Sequence, residues 1–151
     1  KNVKNHNLVI LSGGHIPIIR YEKLYEKEIG LIRSGLLPII GICLGFELIT
    51  YAFGASLKKM KIKQKGFNKL EITKKSPIFN TLNNFLVFEK HRWSVPNLPS
   101  SLEGLAKSAN GYEVIKHKVL PIYGFQFHPE MFPDKTVGKK IFTKTVELLL
   151  H

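Results

Sequence analysis

The chain has 151 residues, 44% of them hydrophobic, enough for one domain around one core, and no run reaches membrane-spanning length. Its formal charge is +12, from 23 basic against 11 acidic residues, yet arginine occurs only at Arg20, Arg33 and Arg92. Readers of nucleic acid lean on arginine for bidentate contacts, so no nucleic-acid role is expected. A single cysteine excludes an internal disulfide and, with no signal peptide expected, fits a reducing, cytoplasmic setting.

Leu8–Leu11 reads as a buried strand that runs into Ser12, Gly13 and Gly14. A glycine pair after a strand can turn a backbone N–H toward a reacting carbonyl oxygen, although turns use glycine everywhere. The pattern over Tyr21–Ser34 predicts a helix with Leu24, Ile29, Leu31 and Ile32 on its apolar side and Gly35 at its end. Pro38–Ile42 is then a central parallel strand, reached through that crossover helix. It leads into Gly41-Ile42-Cys43-Leu44-Gly45 and a helical stretch that ends at Gly54. Buried strand, sharp turn and helix are the parts of a nucleophile elbow, and glycines on either side of the thiol let the backbone turn and pack closely. The helix N-terminus is expected to favour thiolate and lower the cysteine pKa. The plainer reading of a lone cysteine is a small buried hydrophobe.

Ala55–Lys63 and Phe67–Ile72 read as strands around Gly66. The lysine-rich run Lys58–Lys65 alternates as a strand with one solvated face. Either it is a lysine-coated edge, or it meets an acidic partner. Asn84–Phe88, Leu102–Ser108, Tyr112–Lys118 and Ile122–Phe127 read as four more strands. The last ends at His128, followed by Pro129 and Glu130. A cysteine nucleophile needs a base, usually histidine, and the base needs an orienting acceptor, for which Glu130 is close enough. Asp134 is expected to cap a final helix, Lys135–Leu150, with Val137, Ile141, Val146 and Leu149 among its apolar positions. With no repeats or linkers, residues 1–151 read as a single domain. Its class is α/β, a mostly parallel central sheet flanked by helices and continued by antiparallel strands, flavodoxin-like in type.

The words "LSGG", "PIIGICLG" and "YGFQFHPE", in that order, resemble those of the class I (triad-type) glutamine amidotransferases. The resemblance implies a glutaminase of GMP synthase-like or anthranilate synthase-like kind. Such a domain cleaves L-glutamine through a glutamyl thioester and passes ammonia to a synthetase domain or subunit. It implies Cys43 as nucleophile, His128 as general base and acid, Glu130 as orienting carboxylate, and the backbone N–H groups of Gly14 and Leu44 as oxyanion donors. Glu47 stands where the family has a glutamine associated with substrate. His91 matches a histidine of the family's serine-histidine stretch, with Lys90 replacing the serine and Trp93 an acidic residue. The loop after the glycine pair carries His15 where the family has proline. Glu47 and His91 are therefore expected at the substrate; no metal or cofactor is expected. The resemblance also implies a strand-helix-strand unit before the "LSGG" strand, on the order of 30 residues, so this sequence is expected to be a fragment, a trimmed product or an unusually short member. A sheet edge open at that place would suit a partner chain or a second copy in a homodimer.

Two other function classes stay open. A related thiol hydrolase would cleave γ-glutamyl bonds with the same triad, and Glu47 suits a cationic or protonated substrate group. A non-catalytic relative would serve in a regulatory role, and the altered Glu47 and Lys90 point that way.

Overall fold

The computed structural model describes residues 5–151. One mixed seven-stranded sheet organises them, with strand order β1-β2-β7-β6-β5-β3-β4. β1 (Val9–Leu11), β2 (Ile39–Ile42) and β7 (Ile122–Phe125) run parallel. β6 (Gly111–His117), β5 (Leu102–Ser108), β3 (Lys58–Ile72) and β4 (Asn84–Ser94) continue the sheet antiparallel. The helices are α1 (Glu26–Ser34), α2 (Leu44–Ala52) and α3 (Gly138–Leu150). None of the described helices is long and apolar enough to cross a membrane.

β2 is buried on both faces, so its sequence is a continuous apolar run rather than an alternating one. Successive side chains point to opposite sides, and the core divides accordingly. Ile39, Ile115 and Ile122 pack with Ile29 and Ile32 of α1 and Phe46 and Ile49 of α2. Ile40, Val114, Tyr123 and Phe125 pack on the other face with Phe79, Phe85, Phe127 and Ile141 of α3.

Several boundaries differ from the sequence expectation. The first helix opens with a 3-10 turn over Glu22–Tyr25, and Leu24 lies on that turn, 61% exposed. Ile29 and Ile32 carry the buried side instead. β3 is one 15-residue strand that passes through Gly66 (φ 132°) rather than two strands around it. Its first half pairs only with β4, since the β5 pairing is confined to Glu71 and Ile72. Lys58–Lys65 is therefore largely solvated on both faces, with Ile62 84% exposed, rather than on one. β4 extends beyond Phe88 to Ser94 and so takes in His91. β7 stops at Phe125, and the next residues cross the sheet: Gln126 N–H donates to Glu113 O at 2.8 Å and His128 N–H to Phe88 O at 2.9 Å. Asp134 does not cap α3. The backbone turns at Phe132 (φ 52°), whose carbonyl accepts from the N–H groups of Lys135 and Thr136, and the helix starts at Gly138.

Candidate active site

Cys43 closes β2 and heads α2. Its N–H donates to Phe125 O at 2.8 Å, and its carbonyl accepts the first helical bond from Glu47 N–H at 3.0 Å. Between these, the backbone takes φ 53° and ψ −104°, in the sparsely populated region where a non-glycine residue is strained. The neighbouring glycines make this turn possible. A methyl group on Gly41 would lie 2.5 Å from Gly45 C and O, and one on Gly45 would overlap Leu11 O. The helix thus sits directly on the strand backbones.

The thiol is buried and donates to Lys90 O at 3.8 Å. Burial above all, and then the Glu47 carboxylate, push its pKa up to about 12. The Leu44 N–H and Lys63 oppose this, while Glu130 adds to it. The expected lowering by the helix N-terminus is outweighed, because desolvation and a second anion cost the thiolate more than one terminal N–H returns.

His128 lies at the end of the segment after β7, with Nδ1 at 2.7 Å from Glu130 Oε1. Its Nε2 is buried and has no hydrogen-bond partner among the described residues. A methyl group on Gly13 would lie 3.3 Å from His128 Cε1 and 3.7 Å from Cys43 Cβ, so both side chains abut the same point of the loop after β1. Cys43, His128, Glu130 and Gly13 line one lobe of a cavity, about 450 Å³. A second lobe of about 350 Å³ shares Cys43, Gly14, Lys63 and Lys90 with the first and adds Leu44, Glu47 and His91. Gly14 and Leu44 are in intimate contact; a methyl on Gly14 would stand 2.6 Å from Leu44 Cδ2.

Glu47 is buried, and its Oε1 accepts from Gln126 Nε2 at 3.3 Å. Burial raises its pKa to about 7, with the Gln126 hydrogen bond and His91 pulling it down. His91 lines the same lobe and is buried. Its Nδ1–H donates to Trp93 O at 2.8 Å, and Nε2 faces Glu89 Oε2 at 3.6 Å and Glu113 Oε2 at 3.9 Å.

The family model described as glutamine amidotransferase class-I matches residues 1–148. The chain belongs to that family. The glutamine-hydrolyzing GMP synthase subunit of Methanocaldococcus jannaschii is 37% identical over 125 residues, 82% of this chain and 64% of the relative. The chain thus spans just under two thirds of that relative's length. The carbamoyl phosphate synthase small chain of Clostridium perfringens is 34% identical over 77% of this chain and 32% of its own. Among solved structures, a GMP synthase subunit protein from Thermoplasma acidophilum superposes with TM-score 0.85 at 31% identity, over 97% of this chain and 74% of that one. A Thermotoga maritima glutamine amidotransferase, at 24% identity and TM-score 0.75 over 99% of this chain and 71% of that one, shares the amidotransferase fold.

Within this glutamine amidotransferase, three residues of the site carry little signal in the sequence: Gln126, Glu89 and Glu113. Gln126 stands out only as a polar residue between two buried phenylalanines. Glu89 and His91, two apart on a strand, share a face. Glu113 is a carboxylate beside the buried pair Val114 and Ile115.

Proposed function

We propose that this amidotransferase hydrolyses the side-chain amide of L-glutamine and passes the ammonia to a synthetase of GMP synthase type. The observation that carries the reading is a strained cysteine opening onto the same cavity as an imidazole held by Glu130 and unpartnered at Nε2. In this reading Cys43 Sγ attacks the amide carbon while its proton passes to His128 Nε2. A thiol this hard to ionise is served better by a base acting during attack than by a preformed thiolate. The oxygen of the tetrahedral intermediate takes its charge beside the Gly14 and Leu44 N–H groups. His128 returns the proton to the departing nitrogen, ammonia leaves, and a glutamyl thioester remains on Cys43. Water, deprotonated by His128, then releases glutamate and the thiol. Glu130 holds the imidazole with Nδ1–H donating to it, which leaves Nε2 as the base. Glu47 meets the substrate in the second lobe, and His91 supports its wall. The synthetase partner is suggested by the relatives, whose names make them components of synthases.

A second reading has its own support. Glu47 replaces an amide donor with a group that accepts when ionised. The same lobe is lined by Arg20, Lys59, Lys63, Lys90 and Arg92, cations enough for a substrate with more negative charge than glutamine. A γ-glutamyl hydrolase would use the same residues without ammonia transfer. Glutamate release from glutamine and from γ-glutamyl peptides, with and without a GMP synthase-type partner, separates the readings. Preference for glutamine, enhanced by the synthetase, is expected. Preference for the peptides supports the hydrolase, and hydrolysis of neither supports a non-catalytic, regulatory role.

A further inference from the structure

Behind the wall of the second lobe, Glu89 and His91 on β4 meet Glu113 on β6. Their exposures are 0%, 3% and 1%. One potential ligand atom from each lies within 4.8 Å of the other two. Each residue of the trio also has a hydrogen bond to a group outside it, and Glu89 Oε2, which faces His91 Nε2 at 3.6 Å, is the oxygen that takes the bond from Asn68. Asn68 Nδ2 donates to Glu89 Oε2 at 3.0 Å, Ser108 Oγ to Glu113 Oε1 at 2.6 Å, and His91 Nδ1–H is spent on Trp93 O. Glu89 Oε1, His91 Nε2 and Glu113 Oε2 have no hydrogen-bond partner among the described residues. Buried polar atoms without partners are costly, and two of these, His91 Nε2 and Glu113 Oε2, face each other at 3.9 Å.

We propose that Glu89, His91 and Glu113 form a binding site for a divalent first-row transition ion, with zinc as the representative case. Two carboxylates and a neutral imidazole give donors of the type zinc accepts, and two negative charges that a divalent ion neutralises. Metal-bound histidines characteristically donate their other ring N–H to a carbonyl or carboxylate, and ligating carboxylates are themselves hydrogen-bonded. Trp93 O, Asn68 and Ser108 supply that outer set. Donors around tetrahedral zinc stand about 3.4 Å apart, so atoms up to 4.8 Å apart close by at most about 1.4 Å. The ion ties β4, the last strand in the sheet order, to β6. Lys90 lies between two ligands, and its carbonyl accepts from the Cys43 thiol. The site is thus a clamp on the wall behind the reactive cysteine and contributes no step to the chemistry.

Cys43 and His128 can hold zinc themselves, so the test uses tag-free C43A as background. Zinc bound after equilibrium dialysis is measured in C43A, in C43A with Glu113→Gln, and in C43A with Ser108→Ala. C43A is expected to hold one zinc per chain. Ser108→Ala should weaken binding about 10- to 100-fold, the usual cost of losing an outer-shell partner, and Glu113→Gln more. Thermal melting of C43A should rise with added zinc and fall back with chelator. A C43A protein that holds no zinc overturns the proposal, and so does equal affinity in all three proteins. The trio would then be a proton-sharing network. If Glu113→Gln does not fold, the Ser108→Ala arm decides by itself: unchanged affinity there overturns the site.

Discussion

Replacing Glu47 by glutamine should increase both activity and stability at neutral and higher pH. Glu47 lies on the first turn of α2, the helix that Cys43 caps, and after burial its carboxylate is the main influence raising the thiol pKa. Two unit charges about 7 Å apart at an effective dielectric of about 20 repel by about 2 kcal/mol. Both side chains are buried, so solvent does little to screen this. About 2 kcal/mol corresponds to roughly 30-fold in rate if the anion opposes charge developing on sulfur. The carboxyl titrates near 7, so the repulsion grows with pH. The kcat/KM ratio of E47Q to wild type should therefore be near one at pH 5.5 and rise toward roughly 30-fold by pH 9. The stability effect has the same sign. A carboxyl raised from 4.5 to about 7 costs the folded state nothing below pH 4.5. The penalty accumulates as pH rises through that window, to about 3 kcal/mol above it. E47Q should remove this slope in denaturant melts across pH 4–8. Gln126, His91 and the lining lysines also face Glu47, so the comparison is always of variant against wild type at each pH. A pH-independent ratio, or a loss of activity in E47Q at every pH, would refute the electrostatic reasoning and leave contact with substrate as the whole of Glu47's effect.

Other consequences follow from the same geometry. His128→Ala should cost about as much activity as Cys43→Ala, and the double variant no more than either, because groups that act as one unit are not additive; Glu130→Gln should cost less and leave the melting curve unchanged. Gly45→Ala should lower stability by more than about 3 kcal/mol, since its methyl has no space against Leu11 O and only backbone movement could make room. Circular dichroism melts would read that loss. Titrating a candidate synthetase should raise the glutaminase rate, and association should slow with salt, because the exposed lysines of β3 steer by screened charge. A salt-independent association would remove β3 from the contact.

The parts of this fold that the sequence revealed are those where one local rule decides. Ile39–Ile42 admits no reading other than a doubly buried strand, and Gly41 and Gly45 mark the place where α2 packs on it. The pairing of His128 with Glu130 needs only two residues of chain. What stayed hidden depends on partners distant in sequence. Leu24 has the right spacing for a helix face, but the 3-10 turn rotates it into solvent. Gly66 reads as a break, yet pairing with β4 carries β3 through it. The cysteine pKa rests first on burial in the folded chain, where carbonyls of the distant residues Phe125 and Lys90 lie against Cys43, and the helix N-terminus alone gave the opposite sign. The Glu89, His91 and Glu113 cluster is invisible until β4 folds over β6.

The central claim is that Cys43 is the covalent nucleophile of a glutamine-directed site. Its most direct test is mass spectrometry of the folded protein after incubation with a glutamine-analogue diazo-ketone, with glutamine as competitor. A single adduct on the Cys43 peptide, slowed by glutamine and abolished by His128→Ala, is the predicted result. Protein that stays unlabelled while folded, or a label elsewhere that glutamine does not affect, would contradict it.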